Sequence, residues 1–372
     1  NLTTYQSDKW PKAKPVVSPR IGVNYDVLGN RSLVLRGGTG IFAGKVPFVW
    51  FTNQAGGTGT LINTKTFALT NKSKSDSAFL NNMQFSKDPS NVSESNGNLF
   101  PQKAGQTVPS SVAIVSPEFK MPRIWRTNIG VDAKLLYGFV GTAEFIYTKD
   151  LVNVYMRNAA LPNAQTTLSN GADNRPYWTS TKQTGSPANS YYVLENSNMG
   201  ESYNFSIGVA RPARKGWYGS LYYTVSASQE LSSNPGSQAS SAWNSLANTS
   251  SPNEQVLSYS EYLTPHRIVA SASYRIEYLK HLATTISLYY EGASLGRFNY
   301  TYASDINGDG VNADLLYIPN NASELKWADI KDASGKVVYT AQQQADAFNA
   351  YVDQDKYLSA HKGSYAKRYG AK

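Results

Sequence analysis

Residues 203–228 read YNFSIGVARPARKGWYGSLYYTVSAS, and their alternation restricts the fold more than any other feature of the chain. Tyr203, Phe205, Ile207 and Val209 share one parity; Asn204, Ser206, Gly208 and Ala210 share the other. After a basic turn through Arg211–Gly216, Trp217, Gly219, Leu221, Tyr223, Val225 and Ala227 repeat the first pattern. Tyr218, Ser220, Tyr222, Thr224, Ser226 and Ser228 repeat the second. Successive side chains of a strand point to opposite faces, so a period of two predicts the secondary structure and which residues share a surface. The polar parity lacks the Lys and Glu that decorate a sheet face turned to water.

Three further hairpins have the same design. They pair 19–27 with 31–43, 123–135 with 139–150, and 265–276 with 281–292. Each strand is about ten residues or slightly more, the length a tilted strand needs to cross a bilayer. The connections within hairpins are short: Leu28–Asn30, Leu136–Gly138 and Glu277–Lys280. Between hairpins lie long polar segments, 44–122, 151–202 and 230–264, with another after 292. Short turns at one end and long loops at the other match an outer-membrane-type barrel with its long loops outside the cell. Compact soluble domains rarely contain structureless loops of that size.

The ionisable residues test the pattern. Arg20, Asp26, Arg36, Arg126, Asp132, Lys134, Glu144, Arg267, Arg275, His281 and Glu291 all fall on the non-apolar parity of their strands. A register slip of one residue would carry every one of them into lipid, at a few kcal/mol each. The apolar parity is therefore assigned to lipid and the Ser, Asn, Thr and Gly parity to a wet or plugged lumen. A soluble β-sandwich shares the alternation, but its outer face is rich in Lys, Glu and Thr, and its turns recur every 8–12 residues or so.

Composition agrees. Only 16% of residues are charged, below the usual quarter, and 26 Tyr stand against 13 Phe. No apolar run is long enough for a transmembrane helix, and no secretory signal peptide is visible at the start. The absence of cysteine excludes disulfides, a thiolate nucleophile and Cys-based zinc sites. The net charge of +9 is spread over strands and loops without a stripe or module for nucleic acid. The predicted fold is all-β: an antiparallel transmembrane β-barrel segment, about eight strands of a larger barrel, with long extracellular loops. Residues 1–18 are assigned to the end of a preceding loop, 19–304 to the barrel hairpins and their loops, and 305–372 to an extracellular loop. The densest basic run, Lys356, Lys362, Lys367, Arg368 and Lys372, is expected to be a solvated loop. Just before it, 340–352 reads as a helix. Thr340 and Gln343 form a capping box, and Ala341, Ala345, Phe348 and Val352 share one face.

Residues 305–314, DINGDGVNAD, carry the one metal-like motif. Asp305, Asn307 and Asp309 occupy positions 1, 3 and 5 of an EF-hand-type loop, and Gly310 occupies the turn position. The Val311 carbonyl is a further donor, and Asp314 could close the shell. Leu316 stands where the bidentate Glu of a true EF-hand belongs. The expectation is a structural Ca²⁺ held by Asp305, Asn307, Asp309, Val311 and Asp314; an Asx-rich turn without metal reads the same residues. Catalytic signals are weak. GASLG (292–296) fits G-x-S-x-G but leaves a strand for a loop rather than a helix. His266, His281 and His361 have no partner at metal-ligand spacing. No catalytic residue is assigned, and the chain is expected not to be an enzyme. Loop aromatics Trp50, Phe51, Trp178, Tyr191, Tyr192 and Trp243 offer either stacking platforms or loop-core packing.

SPRIGVNYDV, LVLRGGTGIFAGKVP, FVGTAEFIYTKDLVNVYMRN and LYYEGASLGRFNYTYASDINGDGVNADLLYIP together resemble the C-terminal barrel of TonB-dependent outer-membrane receptors, of the Oar-like branch, over most of 15–320. The resemblance implies a 22-stranded barrel occluded by an N-terminal plug. It also implies energy delivered through TonB and capture of an extracellular ligand (peptide, protein, glycan or metal chelate) by the loops, with a surface lipoprotein as a candidate partner. With about eight strands, no plug and no TonB box, the chain reads as a contiguous part of a longer receptor. The alternative function is a passive outer-membrane pore, or a surface adhesion or assembly protein without TonB coupling.

Overall fold

The computed structural model describes residues 5–58, 62, 67, 74–97, 99–100, 103, 106, 108–186 and 188–372. Eight long strands form one antiparallel meander in chain order. They are β1 (Arg20–Asp26), β2 (Leu33–Ala43), β3 (Arg123–Lys134), β4 (Val140–Asn158), β5 (Glu201–Arg214), β6 (Trp217–Glu230), β7 (His266–Tyr278) and β8 (Leu282–Ala293). These are the four expected hairpins, with their expected partners. The sheet is not closed: among the described residues, the outer edges of β1 and β8 carry no ladder partner.

The tight turns follow from backbone chemistry. Between β5 and β6 the strands run further than the sequence suggested, and the turn shrinks to Lys215 and Gly216, both at positive φ (49° and 80°). Two consecutive positive-φ residues match the right-handed twist of the flanking strands, as in a type I′ hairpin. Tyr137 and Gly138 (58° and 80°) do the same between β3 and β4.

The two parities segregate as expected. Ile21 (67%), Ile129 (64%), Ile207 (50%) and Ile286 (63%) stand exposed on one face. On the other face, Arg36 Nε donates to Asp132 Oδ2 (2.9 Å) and its Nη1 to Glu144 Oε1 (2.7 Å). Thr142 donates to the second Asp132 oxygen at 2.7 Å, and Ser220 lies 2.7 Å from Ser271 on the neighbouring strand. One cation thus bridges two carboxylates inside the sheet's polar face, where a lipid-facing position would strand charge in hydrocarbon. The ionisable residues on the apolar parity lie away from the middle of the slab: Arg123, Glu201 and His266 at the loop end of their strands, Lys149 beside the β4 bulge, and Arg211 towards a turn.

Aromatic residues mark both ends of the apolar band. At the loop end Trp125 meets Tyr147 edge-on (5.7 Å), and Tyr147 lies 5.0 Å from Tyr203. At the turn end Trp217 lies 4.4 Å from Tyr274. Amphipathic rings settle at the interface between hydrocarbon and water, so two such girdles delimit a membrane slab.

Above the sheet the loops are structured, beyond what the alternation indicated. A bulge between Val152 and Asp150 lets β4 continue to Asn158, past the expected end at 150. Its extension pairs with Ser190–Ser197, which pairs in parallel with Ser111–Val115. Segments from four loops then share a core: Val46 and Trp50, Val115 and Phe119, Trp178 with Tyr192 and Leu194, Trp243, and Val311 with Leu315. A second core joins Leu316 and Ile318 to Val352, Leu358 and Ala366. The helix Ala341–Gln354 carries the expected capping box, buries Ala345 and lays Phe348 and Val352 on that second core. In the basic run near the C-terminus, Lys356, Lys362, Lys367 and Lys372 are exposed, as expected of a solvated segment, and Arg368 alone departs from it. Arg368 is buried, donating to Ser258 Oγ (2.6 Å) and the Val256 carbonyl (2.5 Å), and desolvation depresses its pKa to about 10.

Candidate functional site

The candidate site is the loop assembly and the acidic turn 305–314 within it. Every loop aromatic singled out in the sequence takes part in packing. Trp50, Trp178, Tyr192 and Trp243 are buried in the shared core, and Phe51 packs against it. Trp178 Nε1 donates to the Pro162 carbonyl (2.8 Å) and Trp243 Nε1 to Asn253 Oδ1 (2.9 Å). Tyr191 is half-buried, with its hydroxyl accepting from Ala188 N. Of the two readings of these rings, loop-core packing is the one observed.

In the acidic turn, Asn307, Asp309, Val311 and Asp314 are buried and Asp305 is half-buried. Asp305 accepts from Gly308 N (2.6 Å) and Gly310 N (2.8 Å). Asn307 Oδ1 accepts from Asp309 N, and Asp309 Oδ1 from Val311 N at 2.8 Å. The Asn307 side-chain amide donates to the other Asp309 oxygen (3.2 Å). Gly308 is required here: its φ is +76°, and a Cβ would lie 2.2 Å from the Trp178 carbonyl. The turn thus nests against the loop core through the one residue type that permits the approach.

The donor chemistry can be tested against a cation. Asp309 has hydrogen bonds but, among the described residues, no ion pair. Its pKa is pushed up to about 7 by burial, with Asp314 and Asp305 adding to the rise and the Asn307 amide opposing it. An anionic, desolvated carboxylate without a cationic partner suits a hard cation. Two observations weigh on the other side. Asp314 is taken up by Arg175, 3.3 Å away, and by Ile306 N at 2.9 Å. Among the described residues no three His, Asp or Glu side chains are gathered as a metal-binding group. The five expected ligands therefore share one turn, but their carboxylates stand as an Asx network.

Sequence reasoning missed the knot beside this turn. Arg175, Asp173 and Asp314 are all completely buried. The Arg175 guanidinium donates to both Asp173 oxygens at 3.0 Å and to the Leu315 carbonyl at 2.7 Å. Its plane lies 5.3 Å from the Tyr302 ring and 5.0 Å from Tyr365. One side chain thereby ties the 159–200 loop to the segment after β8. The Asp173–Arg175 spacing was visible in the sequence; the partner 139 residues away was not.

The remaining candidates take structural places. His266 Nδ1 lies 2.8 Å from the Tyr223 hydroxyl, and His361 stacks on Tyr357. Gly292–Gly296 passes from β8 into a loop, without the helix a nucleophile elbow needs.

Comparison with known proteins agrees with this architecture. Residues 3–288 match the family described as outer membrane beta barrel domain. The chain belongs to that family. Its exposed apolar face is accordingly the lipid face of an outer-membrane barrel. No curated protein matches the chain. Among solved structures, the outer membrane transporter YddB from Escherichia coli is similar, with a TM-score of 0.37 and 12% identity. The match covers 69% of this chain and 26% of that one, so the chain spans about a quarter of the transporter's length.

Proposed function

We propose that this outer-membrane chain is the barrel portion of a TonB-dependent receptor or transporter, of the Oar-like branch that its sequence resembles. The reading takes the long loops as extracellular. They capture a peptide, protein, glycan or metal chelate, a plug supplied by the rest of the protein closes the lumen, and TonB supplies the energy. No covalent chemistry is assigned. The observation that supports this best is the loop assembly: four loops share one core above the membrane slab, as a ligand platform requires and a bare pore does not. A conductance measurement on the full-length protein in planar bilayers tests it. A plugged receptor gives no steady current in KCl; a stable open-channel current contradicts the reading and favours a passive pore. TonB coupling is tested separately by cross-linking the full-length protein to TonB in cells, and the absence of a cross-link contradicts that coupling.

A second reading, surface adhesion or assembly with a partner such as a surface lipoprotein, is favoured by one feature. The hairpin of Ile330–Lys331 and Val337–Tyr339 exposes Ile330, Val338 and Tyr339 together. As part of the proposal, the acidic turn holds a structural Ca²⁺ through Asp305, Asn307, Asp309, the Val311 carbonyl and Asp314. The ion would pin a long loop whose ordering costs about 1–2 kcal/mol of backbone entropy per residue. Calorimetric titration of the chelated protein with CaCl₂ tests this. Saturable binding that Asp309→Ala abolishes is expected; no binding reduces the motif to an Asx turn.

A further inference from the structure

Where the loop core reaches the surface at the loop end of β1–β3, it forms a cavity of about 510 Å³ with an unusual lining. Its apolar side is Trp10, Phe48, Phe51 and Met121. Phe51 is the hub: its ring lies 6.4 Å from Trp10, 6.0 Å from Phe48 and 5.8 Å from buried Phe119. Phe48 is 76% exposed and Trp10 46%, so the hub is open to the surroundings on one side. The charged side is Lys12, Lys14, Lys120 and Arg123, and no Asp or Glu lines the cavity. The nearest paired acid is Glu118, 3.9 Å from Lys14 in an exposed contact that holds little.

The cavity is built rather than incidental. Gln54, fully buried, donates to the Ser7 carbonyl (2.7 Å) and the Lys9 carbonyl (3.2 Å) while accepting from Val115 N (2.5 Å). That clamp sets the segment bearing Trp10 and Lys12 over the helix Val49–Gly56, which bears Phe51. Its position is also defined. Arg123 shares the outward parity of Trp125 and stands one pleat repeat further from the membrane slab. The cavity thus adjoins the aromatic girdle, where an apolar wall meets hydrocarbon and a basic rim meets headgroups.

We infer that this cavity binds a phosphate-bearing glycolipid of the outer leaflet, of the lipid A type, with the acyl region against Trp10, Phe48 and Phe51 and phosphate on Lys12, Lys14, Lys120 and Arg123. The inference rests on the reading that the long loops face outward. Four cations without a lining anion match a multiply phosphorylated headgroup, and an exposed aromatic hub matches the chain attached to it. The basic rim suits a sugar or a neutral peptide less well, since neither carries the anion it calls for.

The experiment uses the full-length protein in phosphatidylcholine vesicles containing lipid A or its dephosphorylated form. Tryptophan quenching by brominated acyl chains and co-purification of lipid are the readouts. The expected result is binding to lipid A that weakens about a hundredfold in Lys12→Gln/Lys14→Gln/Lys120→Gln, since each basic residue near an anionic surface contributes about fivefold. Arg123 is left intact because it belongs to a strand. Equal binding of the two lipids, or equal binding by wild type and triple variant, overturns the inference. Should the variant not fold, phosphate-selective binding by the wild type decides alone. Labelling Ser334→Cys in intact cells with an impermeant maleimide separates the two levels. A labelled cysteine with no lipid A binding defeats only the glycolipid site; an unlabelled one defeats the outward placement of the loops.

Discussion

At the scale of single residues, the side of a strand that a side chain occupies decides which solvent it meets. Ile207 stands half exposed on the lipid face, while Ser206 Oγ lies 2.9 Å from Thr224 Oγ1 on the polar face. An arginine at 207 places a charge in hydrocarbon at roughly 2–4 kcal/mol; one at 206 stays among hydrated polar groups. We therefore expect Ile207→Arg to lower the yield of heat-modifiable, membrane-inserted protein and Ser206→Arg to leave most of it. Equal yields would contradict the face assignment. Arg175 gives a second residue-scale prediction. Replacing it with Met leaves two buried carboxylates, Asp173 and Asp314, without their cation, a change worth about 3–5 kcal/mol. Because the knot lies in the loops, Arg175→Met should speed proteolysis of the 159–200 segment without loss of heat-modifiability. Adding Asp173→Asn and Asp314→Asn should restore part of the protection. An unchanged cleavage rate in the single variant would deny the knot its role.

At the scale of elements, the spanning strands were legible and the loops were not, for a physical reason. A strand's parity is a local property: Ile21, Val23 and Tyr25 announce a face within five positions, and charges such as Arg36 and Glu144 corroborate it. The helix Ala341–Gln354 was legible in the same way, because a capping box spans only four residues. The parallel pairing of Ser111–Val115 with Ser190–Ser197 has no such local mark, and neither does the continuation of β4 past its bulge. The acidic turn was legible as a string of oxygen donors, yet the diversion of Asp314 to Arg175 depends on a distant loop. One contact between neighbouring strands lends itself to a test. Tyr222 lies across Gly208 on the polar face, so that a Cβ there would meet its ring at 2.1 Å. Gly208→Val must displace the ring, and overpacking of this kind costs about 1–3 kcal/mol. Lower unfolding midpoints in denaturant are expected for Gly208→Val, and recovery is expected on adding Tyr222→Ser. No recovery would mean that the glycine serves some purpose other than admitting the ring.

At the scale of the whole molecule, three layers stack along one axis: tight turns, a lipid-facing slab bounded by two aromatic girdles, and a packed loop assembly. The sheet between its open edges is consistent with part of a wider barrel wall, and the family assignment agrees with a wall in the outer membrane. The central claim is that the two parities of each long strand meet different solvents. These 372 residues contain no cysteine, so a single reporter placed among them meets no competing thiol within this part of the protein. The direct measurement is a spin-label scan of positions 203–210, one cysteine at a time, in the full-length protein in lipid bilayers. Collision rates with oxygen, which concentrates in hydrocarbon, are compared with those of a water-soluble nickel chelate. A period of two is expected, with oxygen favoured at 203, 205, 207 and 209 and oxygen disfavoured at 204, 206, 208 and 210. A scan with no alternation, or with the opposite phase, would contradict it.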